Sequence, residues 1–202
     1  MPPTLPRMEA YLASLPGSLA SYPDCVQKAS VYREFIRFMP TGALAGKVPK
    51  PVEALVTSPV AAAAWVPEVH VTALYLAISD LELPDEAAFV ARAEVANKEL
   101  LTGPLYRIMM MVASPAYLAK NAESRWNTFH RGIKMTAESL PQGKSGTAVF
   151  RLDYPKALVP ELIARANTTA FKAAIEAAGG RGVKVELTRF GPESSTLACS
   201  WS

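Results

Sequence analysis

The fold is decided by the stretch Ile133-Lys134-Met135-Thr136-Ala137-Glu138, in which apolar and polar side chains alternate. A period of two residues places each set of side chains on its own face of a β-strand. The same alternation returns over 147–152, after residues 141–146, whose proline and glycines predict a turn. These residues therefore predict a β-hairpin with one buried face.

A helix and two more strands are predicted after this hairpin. Apolar residues recur at helical spacing over 159–174, and the glycine pair at 179–180 predicts the end of the helix. Alternation resumes over 183–188, and Gly191-Pro192 predicts a turn into a last strand over 196–201. The order strand, strand, helix, strand, strand predicts one antiparallel sheet with the helix across one face.

The part of the chain that precedes this unit is predicted to be mainly helical. Residues 1–23 contain several prolines, so we expect them to be poorly ordered or to form a short helix. Asp24 is a plausible N-cap, with Gln27 three residues later as in a capping box, and Pro40 would end that helix. Prolines interrupt residues 40–67, where we expect short helical turns packed on the surface.

Further helices are predicted up to Gly132, where an αL conformation would end the last of them. Pro67 and Glu68 suit the first turn of one helix. Asp85 suits the N-cap of the next, and Ser114-Pro115 would cap and start the last.

Together these elements predict an α+β fold, in which an N-terminal helical layer packs on a small antiparallel sheet built from a C-terminal β-β-α-β-β unit. We expect residues 1–202 to form a single domain, with the helical part at 24–132 and the β-β-α-β-β part at 133–202. A chain of 202 residues is long enough to bury a sizeable core.

Composition argues against several classes of protein. The net charge is only +3, from 21 basic and 18 acidic residues without a basic stripe, so no nucleic-acid partner is predicted. No apolar run approaches the roughly 18 residues of a membrane span, and no signal peptide starts the chain, so we predict a cytoplasmic protein without a membrane partner. Cys25 and Cys199 lack metal-type spacing and are expected to be reduced thiols.

The aromatic segment near residue 130 is the first candidate for a binding site. Spacing of i, i+3 and i+4 would place Trp126, Phe129 and His130 on one helical face, as the wall of a ligand pocket or as a core contact with the sheet. Arg107, Arg125 and Arg131 would clamp an anion if they converged. The candidate ligand-binding residues are Trp65, His70, Tyr106, Arg107, Trp126, Phe129, His130 and Arg131.

No residue is assigned a catalytic role, and no metal ligand or cofactor is predicted. The chain lacks GxSxG, HExxH, a phosphate loop and GxGxxG. An enzyme is still an alternative, in which His130 or His70 would act in acid/base chemistry with a carboxylate such as Glu68 or Glu138. A metal- or haem-binding protein is a further alternative.

Three short motifs carry a resemblance to a known family. The stretches at 64–70 (AWVPEVH), 104–107 (PLYR) and 125–132 (RWNTFHRG) resemble a paralogous family of unknown function known from myxobacteria. The match would span most of the chain. That family's closing unit is similar to the one in the superfamily of haem nitric-oxide sensors, four-vinyl-reductase-type small-molecule sensors and TRAPP trafficking subunits. The resemblance implies a helical layer on a small antiparallel sheet, often used as a regulatory or dimerising module.

The chain also departs from that superfamily. Its haem sensors carry a Tyr-x-Ser-x-Arg motif, whereas Tyr154-Pro155-Lys156-Ala157-Leu158 keeps only the tyrosine, so the resemblance does not imply haem binding. Its zinc sensors use clustered cysteines near the C-terminus, where Cys199 stands alone.

These observations lead to one main hypothesis. The chain is expected to be a non-catalytic regulatory or sensory module that binds a small apolar or aromatic ligand, a protein partner, or both, between the helical layer and the sheet. A homodimer is the expected form of partner if the helices pair.

Overall fold

Helices make up most of the first two thirds of the chain, and a sheet closes it. The computed structural model describes residues 4–37, 39, 42–83, 85–111, 113–139 and 146–202. The helices are α1 (Pro6–Ser14), α2 (Ala29–Ile36), α3 (Lys50–Thr57), α4 (Glu68–Glu82), α5 (Glu86–Thr102), α6 (Arg107–Met111), α7 (Pro115–Lys120), α8 (Ala122–Phe129) and α9 (Glu161–Ala177). The strands are β1 (Val26–Lys28), β2 (Trp65–Pro67), β3 (His130–Arg131), β4 (Lys134–Ser139), β5 (Gly146–Asp153), β6 (Lys184–Phe190) and β7 (Ser194–Trp201).

The last four strands form the predicted antiparallel sheet, in the order β4-β5-β7-β6. In its centre Phe150 of β5 pairs with Leu197 of β7, and both side chains are buried. Helix α9 lies between β5 and β6 in the chain and packs on β6 and β7. The predicted α+β class is confirmed, whereas the turn predicted between the first two of these strands falls largely in residues 140–145, outside the described part.

Helix α9 also joins the sheet to the helical layer. Helix α5 packs along α9, and α2 packs along α5. Asn97 of α5 donates from Nδ2 to Oγ1 of Thr169 at 2.9 Å. Deeper in the helical layer, the rings of Phe35 and Phe89 lie 5.2 Å apart, so aromatic side chains fill the space between α2 and α5. One continuous apolar core therefore runs from the helices into the sheet.

Two predicted caps are confirmed by hydrogen bonds. The side chain of Asp85 accepts from the backbone N–H of Ala88 at 2.8 Å, at the start of α5. Ser114 accepts from the N–H of Tyr117 at 3.2 Å, at the start of α7. Each bond satisfies a donor that the first turn of a helix leaves free.

A second sheet of three short strands was not predicted. Its order is β2-β1-β3, and Val26 of β1 pairs with Pro67 on one side and Arg131 on the other. The prediction that a helix starts at Asp24 is wrong, because β1 comes first and α2 begins only at Ala29. Gln27 forms no capping box, since its side chain is bonded elsewhere.

The helix predicted to run to Gly132 ends earlier, at Phe129, after an interruption at Asn121. His130 and Arg131 leave the helix because their backbone pairs with β1. Gly132 has a φ of +79°, and a Cβ there would lie 2.7 Å from Cys25 Sγ. This glycine thus permits a close backbone approach to Asp24 and Cys25, just before β1, rather than ending a helix.

The segment between residues 40 and 67 also differs from its prediction. In place of short turns alone it contains α3, of eight residues, and β2. Pro51 sits in the first turn of α3, where a proline costs no hydrogen bond.

None of the helices in the described ranges combines the length and the apolar character needed to cross a membrane.

Candidate functional site

The three-stranded sheet brings a buried carboxylate and an imidazole together. Glu68 opens α4 directly after β2, and only 5% of it is exposed. Its Oε1 lies 2.5 Å from Nδ1 of His130, which opens β3. Gln27 in β1, opposite His130 in the ladder, donates from Nε2 to Glu68 Oε2 at 2.6 Å. Both carboxylate oxygens are therefore satisfied, as a buried charged group requires.

The charge of Glu68 also affects the groups around it. Burial, reinforced by Glu68, raises the pKa of the Cys25 thiol to about 11. Burial and the same carboxylate raise the pKa of Tyr75 well above its usual range. Neither group ionises near neutral pH, so neither supplies a nucleophile or a base beside the pair.

His130 is held from two sides. Its ring stacks on Trp126, with centroids 4.0 Å apart and an angle of 14° between the planes. Trp126 is itself anchored, because its Nε1 donates to the carbonyl of Ile133 at 3.0 Å. Since a carboxylate only accepts, Nδ1 of His130 carries a proton toward Glu68. Within the described ranges, Nε2 forms no hydrogen bond and remains available to a ligand.

A cavity of about 150 Å³ lies beside this pair, between the helical part and the β-β-α-β-β unit. Its walls come from α2, α5, α6, α7, α8, β3, β4, β5 and α9, and they are mainly apolar. The polar side chains that line it are Asn97, Arg125 and His130.

A smaller cavity of about 90 Å³ lies next to it. The two share Val31, Asn97, Trp126, His130 and Ala170 as lining residues, so the stacked rings stand between them. Glu68 and Gln27 line only the smaller one.

The size and lining of the larger cavity define what it can hold. A cavity of about 150 Å³ accepts a molecule as large as benzene, and this one is partly open to solvent, which gives a ligand a way in. A ligand of that kind would contact Trp126 and Phe129 and would have His130 as a polar neighbour. No described residue offers a hydroxyl or thiol hydrogen-bonded to His130, so the pair lacks the third group of a nucleophilic triad.

The structure places only some of the eight predicted site residues at the larger cavity. Trp126, Phe129 and His130 line the larger cavity, although His130 is in a strand and not on the helical face that was predicted. Tyr106 packs behind Phe129, with ring centroids 4.8 Å apart, and its hydroxyl lies 3.0 Å from Oγ of Ser30.

The other predicted residues lie away from both cavities. Trp65 has Lys28 Nζ and the guanidinium of Arg131 each 4.1 Å from its ring, which forms a cation–π cluster in which Trp65 and Lys28 are half-buried and Arg131 is exposed. His70 Nε2 lies 3.2 Å from the carbonyl of Leu19, and burial lowers the pKa of this histidine. Arg107 is exposed. The three arginines do not meet, since of them only Arg125 lines a cavity.

Two polar lining residues, Asn97 and Arg125, were not among the predicted ligand contacts. Asn97 falls on the α5 face toward α9, which only the packing of those helices reveals. Arg125 directly precedes Trp126. The sequence pointed to it only as one of three arginines that would clamp an anion if they converged.

The described residues do not form a metal site, because no three His, Cys, Asp or Glu side chains among them cluster. A haem does not fit the larger cavity either. Its volume of about 150 Å³ matches that of a cavity that accepts benzene, and a porphyrin is several times larger than benzene. The segment at 154–158 offers no serine or arginine, and its Tyr154 hydroxyl already donates to the carbonyl of Gly191 at 3.2 Å.

Solved structures with a similar fold are H-NOX proteins. One from S. oneidensis, solved in the Fe(II)NO ligation state, has a TM-score of 0.58 and 10% identity, with 87% of this chain and 99% of that chain covered. A mutant H-NOX protein from K. algicida, in the unliganded Fe(II) state, has a TM-score of 0.52 and 8% identity, with 87% and 96% covered. At such identities the likeness concerns the fold alone.

The chain matches no protein-family model, and a search of curated proteins finds no match. These structures show that the chain shares the fold of H-NOX proteins. Membership of the myxobacterial family stays a prediction from the short motifs.

Proposed function

We propose that this chain is a sensory module that binds a small apolar or aromatic ligand, without chemical change, in the cavity of about 150 Å³ between the helical part and the β-β-α-β-β unit. The cavity itself is the observation that carries the proposal. Among the described residues its lining is mainly apolar and includes the polar side chains of Asn97, Arg125 and His130, the composition typical of ligand pockets.

The apolar lining of the cavity supports a ligand. The cavity is partly open to solvent, so water inside it meets mainly apolar walls with few hydrogen-bond partners. A small apolar molecule there would remove that apolar surface from water and stabilise the folded chain.

The position of the cavity suits a sensor. A ligand there would touch α5 and α8 of the helical part and α9 and β5 of the C-terminal unit at once. It would also contact the Trp126 and His130 rings, which Glu68 connects to α4. Binding would therefore favour one packing of the two parts over others, the requirement for a ligand to shift a conformational equilibrium.

A cavity-filling variant tests the proposal. Ala170 lines both cavities, so Ala170→Leu would place its added carbons in the binding space. Ala177→Leu is the matched control, since Ala177 lies two turns later on α9, is also half-buried and lines neither cavity.

Toluene is the probe, and differential scanning calorimetry in sealed cells is the measurement. At a concentration about 100-fold above its Kd, toluene should raise the Tm of the wild type by about 5–10 °C. Ala170→Leu should remove this rise, whereas Ala177→Leu should retain it. An unchanged wild-type Tm across toluene, indole and cyclohexane would contradict the proposal.

An acid/base enzyme is the second candidate, and the Glu68–His130 pair favours it. The carboxylate fixes the imidazole so that Nε2 is free, as in a carboxylate-oriented general base. It ranks second because the described residues supply no partner group to that nitrogen. Turnover of small esters or ketones that is lost in His130→Gln and retained in His70→Gln would place this candidate first.

We further propose that the module works in the cytoplasm with a protein partner or a second copy of itself. Both cysteines are buried free thiols, which suits a reducing compartment. Leu105 and Ile108 are 62% and 76% exposed, large values for apolar side chains that a partner would cover. Light scattering after size exclusion would give 21.7 kDa for a monomer and twice that mass for a homodimer.

A further inference from the structure

Arg125 is unusual among the groups that line the larger cavity. It is half-buried, its Nη2 donates to the Tyr117 hydroxyl at 3.2 Å, and its guanidinium carbon lies 5.6 Å from the centre of that ring. Its Nε is buried and has no hydrogen-bond partner in the described part of the chain. No carboxylate among the described residues forms an ion pair with it.

A second half-buried arginine, Arg92, shows the difference. Arg92 also has one unpartnered nitrogen, but its Nη1 pairs with Glu82 at 3.1 Å and its Nε donates to the Phe35 carbonyl. Arg92 lines neither cavity. Arg125 thus combines a charge without a carboxylate, an unsatisfied donor and a place in the cavity wall.

The chemistry of a guanidinium determines what would satisfy it. A guanidinium without a carboxylate partner binds one through two parallel N–H···O bonds. The two terminal nitrogens form an edge suited to such a pair, whereas Nε is covered by the protein and lies out of a ligand's reach. The remaining walls of the cavity, among them Leu100, Phe129 and Phe150, provide apolar surface for the rest of the ligand.

We infer that the ligand of this cavity is a small carboxylic acid in its anionic form, with an aromatic or branched apolar body about the size of a benzene ring, and that Arg125 binds its carboxylate. This inference rests on the proposed function and specifies the chemical class of the ligand. Arg125 then determines specificity, while the apolar walls supply affinity for the body of the ligand.

The test compares three probes of similar size. Benzoate carries the charge, benzamide has nearly the same shape without it, and toluene reports on the apolar part of the cavity. Isothermal titration calorimetry measures each probe against the wild type, Arg125→Gln, Arg125→Lys and Arg107→Gln. Arg107 is the matched control, because it is an exposed arginine that lines neither cavity.

The wild type should bind benzoate about 10–100-fold more tightly than benzamide, the range for a hydrogen bond to a charged group. Arg125→Gln should remove that preference and leave toluene binding within about twofold. Arg125→Lys should retain part of it, because a lysine keeps the charge but not the paired donors. Arg107→Gln should behave as the wild type does.

Failure of the inference is distinguishable from failure of the proposed function. If toluene binds but benzoate does not exceed benzamide, or if Arg125→Gln leaves the preference unchanged, the anionic ligand is ruled out and the cavity proposal stands. If no probe binds the wild type, both fail. If circular dichroism shows that Arg125→Gln is unfolded, the ratio of benzoate to benzamide affinity is compared between the wild type and Arg125→Lys instead. An equal ratio in the two proteins would rule out the role of Arg125.

Discussion

Removing the carboxylate of Glu68 should destabilise the fold strongly. Glu68→Ala deletes a buried acceptor whose two oxygens lie 2.5 Å from His130 Nδ1 and 2.6 Å from Gln27 Nε2. Hydrogen bonds to charged groups contribute about 1.5–3 kcal/mol each, and breaking one side of a buried pair costs about 3–5 kcal/mol. We therefore expect a loss of about 3–5 kcal/mol, or about 6–20 °C in Tm for a chain of this size.

Urea denaturation followed by circular dichroism measures this loss. Glu68→Gln should lose less, about 1–2 kcal/mol, because an amide retains one oxygen as acceptor. Glu161→Ala is the control, since Glu161 pairs with Arg165 on the surface, where both side chains are 51% exposed. That change should cost less than about 1 kcal/mol. If Glu68→Ala lost as little stability as the control, the Glu68–His130 hydrogen bond would not be what holds α4 to β3.

Three other predictions concern the core, the thiols and haem. Gly132→Ala should lower the free energy of unfolding by at least about 2 kcal/mol in thermal unfolding, and by more than Gly179→Ala does. Both glycines have a positive φ, but of the two only Gly132 has neighbours within 4 Å of an added Cβ. Equal losses would show that the contact with Cys25 does not matter. Alkylation of the Cys25 thiol, whose pKa is raised to about 11, should be slow at pH 7 and still accelerate above pH 9, where an ordinary thiol levels off. A plateau near pH 8.5 in the folded protein would contradict that. Purified protein incubated with haem should show no Soret band above that of free haem, because the larger cavity is too small for a porphyrin. A shifted, stoichiometric Soret band would contradict this.

The sequence predicts the C-terminal unit well because its elements are long. Strands of six to eight residues show alternation, and α9, with seventeen residues, shows helical spacing. Asp85 and Ser114 correctly predict the starts of α5 and α7, because N-capping depends on the residue type itself. These signals are local, and so they can be read without knowing the packing.

The candidate site is less predictable because its contacts are not local. Strands β1, β2 and β3 have two or three residues, too few to show a period. His130 and Glu68 are 62 positions apart and meet only because these strands pair. The aromatic pattern before Gly132 indicated the right segment, but a helix was extended over His130 because nothing local marks strand pairing.

A crystal soaked with iodobenzene shows whether the cavity beside Trp126 binds a small apolar molecule. We expect an anomalous iodine peak within contact distance of Leu100, Trp126 and Phe150, absent from crystals of Ala170→Leu and present in those of Ala177→Leu. Ordered waters filling that space, or iodine peaks found only on the surface, would contradict it.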